Sequence, residues 1–225
     1  MINNYKMDLD MFFNKLKFKL DEYEKVRSQF NFYLSKDFNV FEYINPYENR
    51  LSDIIADLLN TKGKHGQGNR FLCLFFEIVK FEEIDTLNLS NIKIERESFT
   101  SCIENNKRRI DITIDILGNY GIGIENKPWA KDEDDQVSDY IKHMEKKYSD
   151  NYKIIYLSGD RTPPNKNSID INCQKYKDKV IVISYETEII KWLKTCYKEC
   201  QSEKFRWFLK DFIDYVKQHF KDIDV

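Results

Sequence analysis

Long apolar runs are missing from this 225-residue chain. No window approaches the uninterrupted length that a bilayer crossing needs, so no membrane partner is expected. The start, MINNYKMDLDMFFNKLKFKL, is too polar and acidic for a secretory signal, and the expected location is cytoplasmic. An excess of positive charge is missing too: 36 Lys and Arg stand against 38 Asp and Glu, for a formal net charge of −2. Proteins that coat long stretches of nucleic acid are usually basic, so any such contact has to use a local patch or a cleft. A disulfide framework is absent. Cys73, Cys102, Cys173, Cys196 and Cys200 are odd in number and scattered, as reduced thiols are, and Cys196 with Cys200 lacks the second pair of a structural zinc site. Repeats and long linkers are absent as well, so one domain over residues 1–225 is the simplest division.

What is present belongs to a globular protein: 41% hydrophobic residues, 33% charged, with 16 Phe and 14 Tyr. Such a chain has enough apolar surface to bury a core. Helical spacing runs through Leu9, Phe12, Phe13, Leu16, Leu20 and Tyr23, predicting a helix over 8–34. Pro46 opens a second helix whose stripe is Leu51, Ile54, Ile55, Leu58 and Leu59. TKGKHGQGN breaks it, and the apolar RFLCLFFEIVKF follows as a third.

The period then changes. IKIERESF (92–99) and RRIDITIDIL (108–117) alternate, and a GNYG turn leads to GIGIENK, a strand-turn-strand unit. DEDDQVSDYIKHMEKKY (132–148) returns to helical spacing, with Asp132, Glu133, Asp134 and Asp135 read as its acidic N-terminus. NYKIIYLSG and KVIVISY read as short central strands, and two amphipathic helices close the chain. The loop RTPPNKNSID (161–170) reads as a flexible insertion. The order predicts an α/β fold with helices flanking a mixed central sheet.

Chemistry concentrates in the strand-turn-strand unit. In RRIDITIDIL, Asp111, Thr113 and Asp115 share one face and the isoleucines the other, and an aspartate within such a strand is costly without a partner or a metal. On the next strand Glu125 and Lys127 share a face. A turn centred near Asn119 places Asp111 diagonal to Glu125, within reach. A surface ion pair between Glu125 and Lys127 is the plain alternative. Two carboxylates and a lysine at a strand end also suit phosphodiester hydrolysis, because hard oxygens hold Mg²⁺ or Mn²⁺ and the ammonium offsets transition-state charge or helps to place the water. Gln136 and Tyr140 fall one helical turn apart. Lys107, Arg108 and Arg109 form a basic step that suits a nucleic-acid backbone. His65 either binds phosphate or holds its own loop. The HGQG glycines lack a following lysine-serine or lysine-threonine pair, so no nucleotide cofactor is expected.

Asp111 followed by Glu125-Asn126-Lys127 resembles the PD-(D/E)xK nuclease superfamily. Gln136 and Tyr140, in QVSDY, match the glutamine-x-x-x-tyrosine motif of its RecB-like and lambda-exonuclease-like branches, and Glu48 stands where those branches carry an acidic helix residue. The match covers roughly residues 42–160. Ile110 replaces the proline before the aspartate, a position that mainly shapes the strand. The resemblance implies a restriction-endonuclease-like core and a Mg²⁺-dependent deoxyribonuclease, with Mn²⁺ able to substitute. Asp111, Glu125, Glu48 and the Asn126 carbonyl would hold the ion. Lys127 would activate water or stabilise charge, and Gln136 and Tyr140 would orient the lysine or touch the phosphate backbone. DNA would be the partner, and the terminal helices could support a homodimer. A silent nuclease fold that binds nucleic acid or a protein is the alternative.

Overall fold

The computed structural model describes residues 2–81, 91–99, 108–129, 132–169, 176 and 178–220. Residues 1–40 and 41–225 form two compact units. The first contains helix α1 (Ile2–Leu34), on which Leu9, Phe12, Phe13, Leu16, Leu20 and Tyr23 are exposed. Asp37 closes that unit by binding the Arg27 guanidinium at 2.6 Å and the Asn31 amide at 3.2 Å. Among the described residues no helix is long and apolar enough to cross a membrane.

The second unit is a five-stranded sheet in the order β1 (Ile92–Phe99), β2 (Arg109–Ile116), β3 (Tyr120–Lys127), β4 (Tyr152–Ser158) and β5 (Val180–Ser184). The first three strands pair antiparallel and the last three parallel. A parallel pair needs a crossover, and α5 (Gln136–Tyr148) supplies the one between β3 and β4. Its Val137, Tyr140, Ile141, Met144 and Tyr148 are buried in a cluster with Ile110, Ile154 and Tyr156. Helices α3 (Glu48–Leu59) and α4 (Arg70–Val79) pack together, α3 also against β1, β2 and β3. A short helix α2 (Val40–Ile44) precedes them. After β5 a π-helical turn (Tyr185–Ile189) leads into α6 (Ile190–Glu199) and α7 (Glu203–His219).

Four expectations change. Only β4 of the two late strands is central: β5 stands last in the sheet among the described residues, with Val180, Ile181 and Val182 only half-buried. The 161–169 stretch is anchored, not loose. Helix α5 has no side-chain cap of its own, because Asp135 takes a left-handed conformation at φ 57°. The loop provides the acceptors instead: Ser168 Oγ takes the Val137 N–H at 3.0 Å and its carbonyl takes the Ser138 N–H at 3.2 Å. The acidic run precedes the helix rather than forming its first turn, and Asp132 binds the Asn165 N–H at 2.6 Å and the Tyr156 hydroxyl.

The hairpin turn is centred one residue earlier than the GNYG pattern suggests. Leu117 and Gly118 take φ of 55° and 71°, and the Asn119 N–H reaches the Ile116 carbonyl at 3.1 Å. Asp115 secures this turn by accepting the Gly118 N–H at 2.7 Å. The register then pairs Thr113 with Gly123 and Ile112 with Ile124. One further step brings Asp111 level with Glu125, rather than diagonal to it.

Gly121 lets α5 close on the sheet: a Cβ there would stand 2.1 Å and 2.3 Å from carbons of the Tyr148 ring. Tyr148 is also held by its hydroxyl, which donates to Asp115 at 2.8 Å, so the ring has no easy retreat. Gly121→Ala is expected to lower stability by roughly 3 kcal/mol, the upper end for overpacking a core. The urea unfolding midpoint measures it, and an unchanged midpoint would mean that α5 does not pack this closely.

Candidate active site

Asp111 and Glu125 reach the same end of the sheet because β2 and β3 are antiparallel neighbours in the register above. Lys127 follows Glu125 by two residues and its ammonium returns to the Glu125 carboxylate, with Nζ 2.9 Å from Oε1. The same Nζ lies 3.1 Å from Glu48 Oε1, at the first turn of α3. One ammonium therefore bridges carboxylates that stand far apart in the chain. Glu48 sits where a helix favours negative charge. Its helix comes this close because Leu51, Ile55, Leu58 and Leu59 are buried beneath it.

Behind the carboxylates is a chain of hydrogen bonds. Gln136 Nε2 donates to Glu125 Oε1 at 2.7 Å and lies 2.9 Å from the Tyr140 hydroxyl. That hydroxyl donates to the Arg109 carbonyl at 2.8 Å, fixing the start of α5 to β2 just before Asp111. Gln136 also accepts the Glu133 N–H, so it supports its own helix end while orienting Glu125.

Ser52, Tyr185 and Arg96, which sequence reasoning missed, hold the rest. Asn126, buried completely, turns away from the carboxylates. Its side-chain amide donates to Ser52 Oγ at 2.8 Å and to the Glu48 carbonyl at 3.2 Å, and its oxygen accepts the Tyr185 hydroxyl at 3.0 Å. The Asn126 backbone N–H holds Asp111 Oδ2 at 2.8 Å. Arg96 binds Asp53 at 2.8 Å and the Asp111 carbonyl, with Nη1 4.0 Å from the Asp111 carboxylate. Only the acidic partners carried a sequence signal; a serine, a tyrosine and an arginine at these separations carry none.

Burial sets the electrostatics. Glu125 is 2% exposed, and its Oε2 has no hydrogen-bond partner among the described residues. Burial first, then repulsion from Asp111, push its carboxyl up to about 8, with Lys127 pulling the other way. Burial likewise raises Asp111, against its bond from Asn126 and the charge of Lys127. Burial works against charge on Lys127, yet Glu125, Glu48 and Asp111 more than offset it and hold the ammonium above its ordinary range. The donor set is carboxylate and carbonyl oxygen, the chemistry that Mg²⁺ and Mn²⁺ prefer, and the orphaned Glu125 Oε2 suits a cation. Among the described residues no three His, Cys, Asp or Glu side chains stand close enough together to form a ready-made metal cluster. The ammonium between Glu48 and Glu125 does the charge neutralising here.

The suggested nucleic-acid contacts are placed unevenly. Lys107 lies outside the described residues. Arg108 folds onto the acidic run, 3.3 Å from Glu133 and 2.9 Å from Asp139. Arg109 forms an exposed pair with Glu97 at 3.0 Å, an interaction weak enough to exchange. His65 is 3% exposed, with Nε2 2.9 Å from the Asn60 carbonyl and Nδ1 accepting the Gln67 N–H at 3.0 Å. Its ring stacks on Phe71. Of the two readings of His65, this favours the holder of the loop.

A mixed sheet between helices, with carboxylates and a lysine at the ends of an antiparallel pair, defines a restriction-endonuclease-like α/β protein. Residues 38–214 match the family model of the PD-(D/E)XK nuclease superfamily, and the chain belongs to that superfamily. Neither a curated protein nor a solved structure matches it. Members of the superfamily generally use divalent metal ions.

Proposed function

We propose that this protein is a Mg²⁺-dependent deoxyribonuclease, with Mn²⁺ able to substitute, that cuts DNA internally in defence, restriction or repair. The observation that carries this reading is the Lys127 ammonium between Glu48 and Glu125, with Gln136 and Tyr140 behind. A surface ion pair, the plain alternative for Glu125 and Lys127, does not fit a carboxylate buried this deeply with an orphaned oxygen. Gln136 and Tyr140 on the helix after β3 also favour the RecB-like branch.

Asp111, Glu125, the Asn126 carbonyl and Glu48 would hold the ion. When bound, it would polarise the phosphate and lower the pKa of a bound water. The chain's own residues do the rest. The Asn126 N–H and Arg96 fix the strand end that carries Asp111. Gln136 holds Glu125 in one orientation. Lys127, with its ammonium against the Glu48 and Glu125 carboxylates, would present a positive charge to the developing oxyanion or help to place the attacking water. A homodimer through exposed apolar residues of the terminal helices, such as Phe12 and Phe13 on α1 and Trp207 on α7, would pair two sites for double-strand cutting.

Incubating plasmid, linear duplex and single-stranded DNA with Mg²⁺, Mn²⁺ or EDTA tests the reading. Cleavage with either metal and none in EDTA is expected. Folded protein that cuts none of the three with either ion would leave the silent, nucleic-acid-binding or protein-binding alternative.

A further inference from the structure

Beside Lys127 an open cleft of about 570 Å³ continues past the carboxyl ends of the parallel strands β3 and β4. This is the end of a parallel sheet at which ligands usually bind. The volume falls within the range of small-molecule sites and is far too small for a duplex. Its lining contains Lys127, Trp129, Asp132, Tyr156, Ser158 and Asp160. Ser158 is the direct neighbour of Lys127 across the β3–β4 pair. It is 4% exposed, yet its hydroxyl has no hydrogen-bond partner among the described residues.

Trp129 makes the other wall and is 53% exposed. It is nonetheless held in place. Its ring stacks on Phe220 at 5.1 Å and 16°, and Phe220 stacks on Tyr185 at 4.4 Å and 13°. Tyr185 is fully buried and donates to Asn126, next to Glu125. The indole is thus the outer plate of a three-ring stack tied to the catalytic strand. Two carboxylates, Asp132 and Asp160, share the lining with Lys127 and His219, and each is fixed by hydrogen bonds, Asp132 to Asn165 and Tyr156, Asp160 to Thr162, so the cleft is not a cationic phosphate cradle. A flat, exposed aromatic plate held rigid beside Lys127, with carboxylates next to it, fits a base better than a backbone phosphate.

We propose that this cleft holds one unstacked nucleobase of the substrate strand, adjacent to the phosphodiester that meets Lys127 and Glu125. The inference rests on the nuclease reading and narrows its substrate class. The strand being cut places one unstacked nucleotide in the cleft, so single-stranded DNA is bound in preference to paired duplex, in which that base must first be flipped out at the cost of its stacking and pairing. Stacking supplies affinity without demanding a particular sequence.

Binding can be read without cleavage, in EDTA at low salt, with short single-stranded and blunt duplex oligonucleotides. In a Trp207→Phe background, Trp129 is the exposed tryptophan and Trp192 is fully buried. Single strands are expected to quench its emission, and duplex of equal length far less. Trp129→Ala should weaken single-strand binding by about tenfold, the effect of one base–aromatic stack, while Trp129→Phe should recover most of it. Equal binding of single strands by parent and Trp129→Ala, or equal quenching by duplex, would overturn the base site. The two readings fail separately. Cleavage that survives without a Trp129 effect removes the base site alone, whereas Trp129-dependent binding with no metal-dependent cleavage removes the nuclease reading alone.

Discussion

Glu125→Gln is expected to reduce DNA cleavage by on the order of a thousandfold, while leaving the protein as stable as the parent or slightly more so. The two halves of that result have one cause. Glu125 is buried with one oxygen unpartnered, and its carboxyl is pushed up to about 8 by burial and by Asp111. The folded protein therefore already disfavours the negative charge, and a neutral amide of the same shape relieves the repulsion. Its oxygen can still accept from Lys127 and Gln136, which now meet Oε1 at 2.9 Å and 2.7 Å. What the amide cannot supply is an anionic oxygen for a cation. Asp111→Ala should lose cleavage for the same reason. The checks are the rate of plasmid nicking and the urea midpoint, side by side. Near-normal nicking by either purified variant would remove the assignment.

Lys127→Met should show a different pairing of losses. Cleavage falls by roughly a hundredfold or more, because a charge facing the transition state is gone. Here stability falls too. The ammonium is the shared partner of Glu48 and Glu125, and its side chain is 11% exposed against 2% for Glu125. Removing one partner of a buried pair costs about 3–5 kcal/mol, and the lower end is expected because Glu125 can take up a proton. Binding of Mn²⁺ should persist, since the lysine contributes no oxygen and vacates a position between two carboxylates. Calorimetric titration separates the two variants. A loss of Mn²⁺ binding in Lys127→Met as severe as in Glu125→Gln would mean that the lysine organises the carboxylates instead of acting on the substrate.

The sheet hairpin was legible because alternation is a local property. Ile112 and Ile114 are buried opposite Ile124 and Ile122, and a side-chain period of two puts one apolar residue per repeat on that face. Glu48 was legible only in combination, through its place on the stripe with Leu51 and Ile55 and through the resemblance. The hairpin register was less so. It turned on whether Gly118 or Asn119 sat at the centre, which the Asp115 carboxylate decides by holding the Gly118 N–H. The loop at 161–169 misled because its prolines and polar residues do signal irregular backbone. They say nothing about whether that backbone is tied down by Ser168 and Asn165.

From its order of residues alone the chain determined which segments alternate, which wind, and that acids and a lysine arrive at one strand end. Those properties depend on neighbours within a few residues, where the geometry of strand and helix leaves little choice. Tertiary structure decided what stands behind the acids: Arg96 beneath Asp111, the Ser52–Asn126–Tyr185 network, and the stack from Tyr185 through Phe220 to Trp129. It also decided the cleft, because Trp129 and Ser158 meet only after β4 has crossed back beside β3. Such contacts join residues tens of positions apart. No local period links them, and only the packing of helices on both faces of the sheet brings them together.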